Sequence, residues 1–186
     1  RVHTAWRGPV PRSDDVNKAA FLAGLKVDRS VLPVAGARGG FVEGLRALTE
    51  FIETRLENYD EARNKPDVVG TSQLSWFLHF GHLGPRGIAN AVRASKANQQ
   101  AKAVFLEELI VRREVALNFA LREPNYDRLE GCPDWARKTL DEQRNTRRPV
   151  TYSRLELETG RTGDPLWNAG QREMVMSGRM HGYVRM

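Results

Sequence analysis

The stretch Phe105-Leu106-Glu107-Glu108-Leu109-Ile110-Val111-Arg112-Arg113-Glu114-Val115-Ala116-Leu117-Asn118-Phe119 decides how the rest of the chain is read. On a helix of about 3.6 residues per turn, Glu108, Val111, Arg112 and Val115 share one stripe, and Phe105, Leu106, Leu109, Ile110 and Ala116 surround it with apolar side chains. A carboxylate and a guanidinium therefore stand among groups that prefer to leave water. Burying such a pair costs several kcal/mol per ion, roughly, unless hydrogen-bonding partners offset it. Two readings follow. Either Glu108 and Arg112 are an ordinary surface pair at i,i+4, or the stripe faces a polar ligand.

Outward from this stretch the pattern is helical. Residues 1–14 read as irregular, because Gly8, Pro9 and Pro11 break any period. Two short apolar pieces follow, Ala19–Leu25 and Val31–Val34, and then a glycine-rich turn, Gly36–Gly40. That turn lacks the Lys and Ser/Thr of a nucleotide loop and reads as a connector. Val42, Leu45, Leu48, Phe51, Ile52 and Leu56 mark an amphipathic helix from Phe41 to about Tyr59. Thr71 or Ser72 can cap a short helix through Leu74 to Phe80, Pro85 opens another to about Ser95, and Asn98 suits the N-cap of a helix reaching Leu121. A loop at Asn125–Pro133 precedes helices at about 133–144, 153–160 and 165–177, with a last one starting near Arg179. Period-two alternation is nearly absent. The expected fold class is all-α, with residues 1–40 a connector and 41–186 a multi-helix domain.

The 186 residues carry 29 Lys plus Arg against 23 acids, a net charge of +6. This excess favours polyanionic partners but is mild evidence for nucleic acid. Arg144, Arg147 and Arg148 fall between two predicted helices and read first as a solvated loop, with phosphate contact the minority reading. The single Cys132 cannot form an internal disulfide and has no adjacent base, so it reads as structural. No apolar run is long enough for a membrane span and no leader pattern opens the chain.

Several candidate chemistries fail on spacing. His79 and His82 are spaced His-x-x-His, but no third ligand is evidently placed, so no metal site is expected. Glu107 and Glu108 project about 100° apart on a helix, which excludes a pair of carboxylates facing one bond. Thr71, Ser72 and Ser75 gather hydroxyls at a helix start, where an anion is favoured; the plainer role for Thr71 and Ser72 is capping.

The run Phe105-x-Glu107-Glu108-x-x-x-Arg112-Arg113-Glu114-x-x-x-Asn118-Phe119 resembles the signature of class II cyclobutane pyrimidine dimer photolyases. Five further blocks resemble the same family in the same order: Tyr59-Asp60-x-x-Arg63-Asn64-x-Pro66 with Thr71-Ser72-x-Leu74-Ser75, then Asn125-Tyr126-Asp127, Pro133-Asp134-Trp135-Ala136, Asp164-Pro165-Leu166-Trp167-Asn168-Ala169, and Gly178-x-x-His181-Gly182-x-x-Arg185-Met186. Val115 stands where the family usually has Leu, and Trp76 where Pro is common.

The resemblance implies a central piece of the helical FAD-binding domain, truncated at both ends, without the antenna domain and without part of the flavin cradle. It implies light-driven repair of pyrimidine dimers in DNA, with FAD as cofactor, a monomer, and no membrane. The compartment would be cytoplasm in a bacterium or archaeon, and nucleus or organelle in a eukaryote. Tyr59, Thr71, Ser72, Leu74, Ser75, Val111, Arg112, Val115, Gly182 and Arg185 correspond to flavin contacts. Glu108, Met186 and, more weakly, Arg63 correspond to the lesion side, and Trp167 to the middle of a tryptophan electron relay. Trp76 and Trp135 read as packing. A cryptochrome-like photoreceptor is the rival within the superfamily, and a plain helical interaction module the rival outside it. Glu108, Arg112 and Ser72 lining one concavity is the expectation that separates the flavin reading from the module.

Overall fold

The computed structural model describes residues 17–185; the irregular stretch expected over residues 1–14 and the candidate Met186 lie outside them. The chain divides into two compact units, residues 1–33 and 34–186. In the first, Asn17 caps α1 (Lys18–Gly24) by accepting from the Ala20 N–H at 3.1 Å, and none of the helix's residues is buried.

The second unit opens with α2 (Phe41–Thr54), whose Gly44, Leu48 and Phe51 face inward. Periodicity predicts this helix on to Tyr59, but the chain leaves helical geometry at Arg55, tightens into a 3-10 turn at Leu56–Asn58 and restarts as α3 (Tyr59–Ala62). The tighter turn swings both Leu56 and Tyr59 into the core, at 0% and 8% exposure. Burying such side chains contributes about 1.5–3 kcal/mol each, which outweighs the poorer hydrogen bonds of a short 3-10 segment.

Next come α4 (Ser75–His79) and α5 (Pro85–Ala94), the latter with Pro at its first turn and Ile88, Ala89 and Val92 buried. Asn98 caps α6 (Gln99–Leu106) as predicted, accepting from Ala101 N–H at 2.7 Å. The helix does not then run on uniformly. Residues Glu107–Arg112 widen into a π turn before α7 (Arg113–Arg122) resumes. Four helices complete the unit: α8 (Asp134–Glu142), α9 (Arg154–Glu158), α10 (Pro165–Ser177) and α11 (Gly182–Arg185).

The fold is all-α, with no strand among the described residues. Its core holds Phe51, Leu56, Leu74, Ile88 and Val92, all nearly inaccessible. The rings of Phe51, Tyr59 and Phe105 meet with centroids 4.9–5.7 Å apart, tying α2, α3 and α6 together. A smaller polar knot fixes the start of α10: the buried Asn168 amide accepts from Thr162 N–H at 2.9 Å and donates to the Thr162 carbonyl at 2.8 Å. Asp164 caps the same helix through the N–H groups of Leu166 and Trp167. Among the described residues, no helix is long and apolar enough to cross a membrane.

Candidate functional site

Tyr59 is held by its aromatic partners at the start of α3, and the loop after α3 folds tightly back on it. A Cβ on Gly70 would sit 2.3 Å from the Ala62 carbonyl oxygen, so only glycine permits that approach. Gly70 thus sets Thr71, Ser72 and Gln73 beside Tyr59. Gln73 then adopts φ +58°, a left-handed conformation uncommon for a side-chain-bearing residue.

This turn corrects the capping expectation. Leu74 occupies the N-cap position of α4 with no side-chain cap. The Ser72 hydroxyl reaches only the Leu74 N–H, at 3.4 Å. The left-handed step at Gln73 sets Thr71 and Ser72 apart from the helix's first amides, and neither hydroxyl caps α4.

The opposing wall comes from the end of α10 and from α11. Gly178 takes the left-handed conformation that ends α10, at φ +69°. His181 is then clamped through both ring nitrogens, with Nε2 donating to the Arg63 carbonyl at 3.0 Å and Nδ1 accepting from Tyr183 N–H at 3.2 Å. Between the two walls lies a concavity of about 730 Å³. Six of the predicted cofactor residues line it: Tyr59, Thr71, Ser72, Ser75, Gly182 and Arg185. They come from segments separated by more than 90 residues in sequence, since Ser75 and Gly182 differ by 182 − 75 = 107 positions.

The other predicted residues fall elsewhere. Leu74 is core, at 1% exposure. Val111, Arg112 and Val115 stand exposed on the π turn and α7 and do not line the concavity. Trp167, in the first turn of α10, is half-exposed and donates its indole N–H to the Leu157 carbonyl at 2.9 Å.

Glu108 does not pair with Arg112, as the i,i+4 reading expects. It accepts from Arg63 at 2.7 Å, while Arg112 lies 3.8 Å from Glu107. The π turn explains the exchange, because an i,i+5 register brings 107 and 112 into line and rotates Glu108 toward α3. For the same reason, the expectation that Glu108, Arg112 and Ser72 line one concavity is not met; of the three, only Ser72 lines it. Glu108 nonetheless sits one side chain away. Arg63 bridges it to the Tyr59 ring, with the guanidinium carbon 5.8 Å from the ring centroid. Burial pushes the Tyr59 phenol's pKa up; the Arg63 charge opposes this and the Glu108 carboxylate adds to it.

Sequence reasoning missed Trp76, Gln73 and Arg179, which also line the concavity. Trp76 offered a signal, an aromatic next to Ser75 in a hydroxyl-rich turn. Arg179 offered its place beside His181 and Gly182. Of the two histidines set aside as a metal pair, His79 lines the concavity, while His82 accepts from Gly40 N–H at 3.2 Å.

No protein-family model matches the chain. It is 44% identical over 165 residues to the deoxyribodipyrimidine photo-lyase of Potorous tridactylus, covering 88% of this chain and 31% of that protein. To the deoxyribodipyrimidine photo-lyase of Methanothermobacter thermautotrophicus it is 43% identical over 149 residues, 80% of this chain and 33% of the relative. The helical fold superposes on a bacterial class III photolyase from Agrobacterium tumefaciens with a TM-score of 0.62 and 29% identity, over 78% of this chain and 29% of that one. Its kinship is with the photolyase and cryptochrome superfamily. Cryptochrome-1 of Arabidopsis thaliana is more distant, at 31% identity over 161 residues. The chain spans about a third of the length of these photo-lyase relatives.

Proposed function

We propose that this chain is the helical cradle segment of a class II cyclobutane pyrimidine dimer photolyase, with FAD as cofactor and dimer-containing DNA as substrate. The observation that carries the reading is the convergence of Tyr59, Thr71, Ser72, Ser75, Gly182 and Arg185 on one concavity. Identity above 40% to two photo-lyases, against 31% to the cryptochrome, favours the repair enzyme over the receptor. The class II assignment rests on the signature run and its companion blocks.

The concavity fits an anionic dinucleotide by its donor set. Thr71, Ser72 and Ser75 present hydroxyls that no helix cap uses, and Arg185 adds positive charge. Nothing lies within 4 Å of the position a Gly182 Cβ would take, so the backbone there is open to a flat ligand. When bound, a fully reduced FAD supplies the light absorption and electron donation by which a cyclobutane dimer is split.

The chain's own residues bind and orient. The three hydroxyls and Arg185 hold the pyrophosphate, and Tyr59 closes one wall over the buried aromatic cluster. Glu108, fixed by Arg63, accepts hydrogen bonds from the edge of a dimer flipped out of the duplex. Val111, Arg112 and Val115 as cofactor contacts, Trp167 as electron conduit and Met186 at the lesion belong to the proposal on the resemblance alone, as do the monomeric state and the absence of a membrane.

The test is a visible spectrum and a repair assay on the protein carrying this chain. Flavin absorption and light-dependent loss of dimers from irradiated DNA are expected. Glu108→Ala should keep the absorption and lower repair about tenfold or more, the cost of a hydrogen bond to a charged acceptor. Bound flavin without repair would make the protein a cryptochrome-like receptor, and absence of flavin would end the reading.

A further inference from the structure

A second concavity, about 630 Å³, adjoins the first and shares Ser72, Gln73, Trp76 and Arg179 with it. Its remaining lining differs in kind. Arg38, Arg46 and Arg55 line it together with Glu43 and Glu50, and none of the six converging cofactor residues except Ser72 does. The two carboxylates are already used. Glu43 pairs with Arg46 at 3.0 Å and Glu50 with Arg55 at 2.9 Å.

Arg179 has no carboxylate partner among the described residues. Its guanidinium lies over the Trp76 ring, 4.0 Å from the centroid, and donates to the Gln73 side-chain oxygen. Burial holds its pKa below the ordinary arginine range, and the Arg55 charge lowers it further. Two buried donors of residues that line this concavity, Arg55 Nε and Trp76 Nε1, have no acceptor among the described residues. Buried donors without acceptors are rare in folded proteins, and here two stand beside an unneutralised cation.

We propose that Arg55, Trp76 and Arg179 form an oxyanion subsite that takes the phosphoryl group of a small phosphorylated molecule entering this second concavity, independently of the flavin cradle. A phosphoryl group supplies acceptors for the orphaned N–H groups and a negative charge between two like-charged guanidiniums.

The experiment is calorimetric titration of the protein with inorganic phosphate, at constant ionic strength in chloride. Saturable binding is expected in the wild type. Arg179→Gln should weaken it about tenfold or more, the loss of a charge-assisted hydrogen bond. Trp76→Phe keeps a ring beneath Arg179 but removes the N–H, and should weaken phosphate about threefold, as for a neutral hydrogen bond. Arg179→Lys keeps the charge and serves should the Gln variant not fold; it should bind phosphate more weakly than wild type by losing the planar fork. Repeating the titration with FAD present separates this inference from the flavin reading. Unchanged phosphate affinity supports an independent site, whereas competition would assign the oxyanion to the cofactor and overturn it. No saturable binding, or equal affinity in wild type and all variants, would overturn it outright.

Discussion

Arg63 shows how one residue joins two sites: its guanidinium holds Glu108 at 2.7 Å and lies against the Tyr59 ring, while its backbone carbonyl accepts from His181. The guanidinium contacts are specific rather than strong. With side chains 25% and 39% exposed, this ion pair contributes about 1 kcal/mol or less. Phe51 is the opposite case, fully buried and touching both other rings of the aromatic cluster. Phe51→Ala should therefore cost about 3–5 kcal/mol of stability and Arg63→Ala about 1. Urea midpoints rank the two, and equal losses would mean that the ion pair is far better shielded than its exposure indicates. Glu108 was legible as a residue of interest from its place in an apolar stripe. Its partner was not, since Arg63 lies 45 positions upstream (108 − 63) and no periodicity links them.

At the scale of the element, the Asn98 cap was readable, the cap expected at Thr71 or Ser72 was not met, and the interruptions gave no signal. Asn98 was identified from its type and position, and its Oδ1 accepts from Ala101 N–H at 2.7 Å while its own N–H donates to Glu57 at 2.9 Å. Asn98→Ala should lower stability by about 1–2 kcal/mol, and Asn98→Ser, which keeps an accepting oxygen and adds no charge beside Glu57, by clearly less. Thermal unfolding of both variants checks this; equal losses would show that the cap oxygen contributes nothing. The breaks at Arg55 and at Glu107–Arg112 gave no such signal. Neither contains Gly or Pro. The first is imposed by the need to bury Leu56 and Tyr59 together, and the second places Glu108 against Arg63. Both are tertiary demands that override a helical sequence.

Across the whole molecule, burial is uneven. Every residue buried up to Leu109 belongs to the stretch 44–109, and beyond it only Gly160, Asn168 and Gly170 are buried among the described residues. Residues 113–151 bury nothing, although they carry Val115, Leu117, Phe119, Leu121 and Trp135. Amide hydrogen exchange should follow this division, with α5 and α6 exchanging about 100-fold or more slowly than α7 and α8. Uniform protection across all four helices would show that α7 and α8 are covered in solution.

The sequence by itself determined the all-α class and most helix positions, because periodicity and capping residues act within a few turns of chain; the cofactor candidates came from the family resemblance instead. Only the tertiary structure decided that Glu108 answers to Arg63 rather than Arg112, that Thr71 and Ser72 are not caps, and that Trp76 and Arg179 stack between two concavities. Each of these depends on which distant segments share a desolvated volume. Pairing of charges and donors in such a volume is set by packing across the chain, which local spacing does not encode.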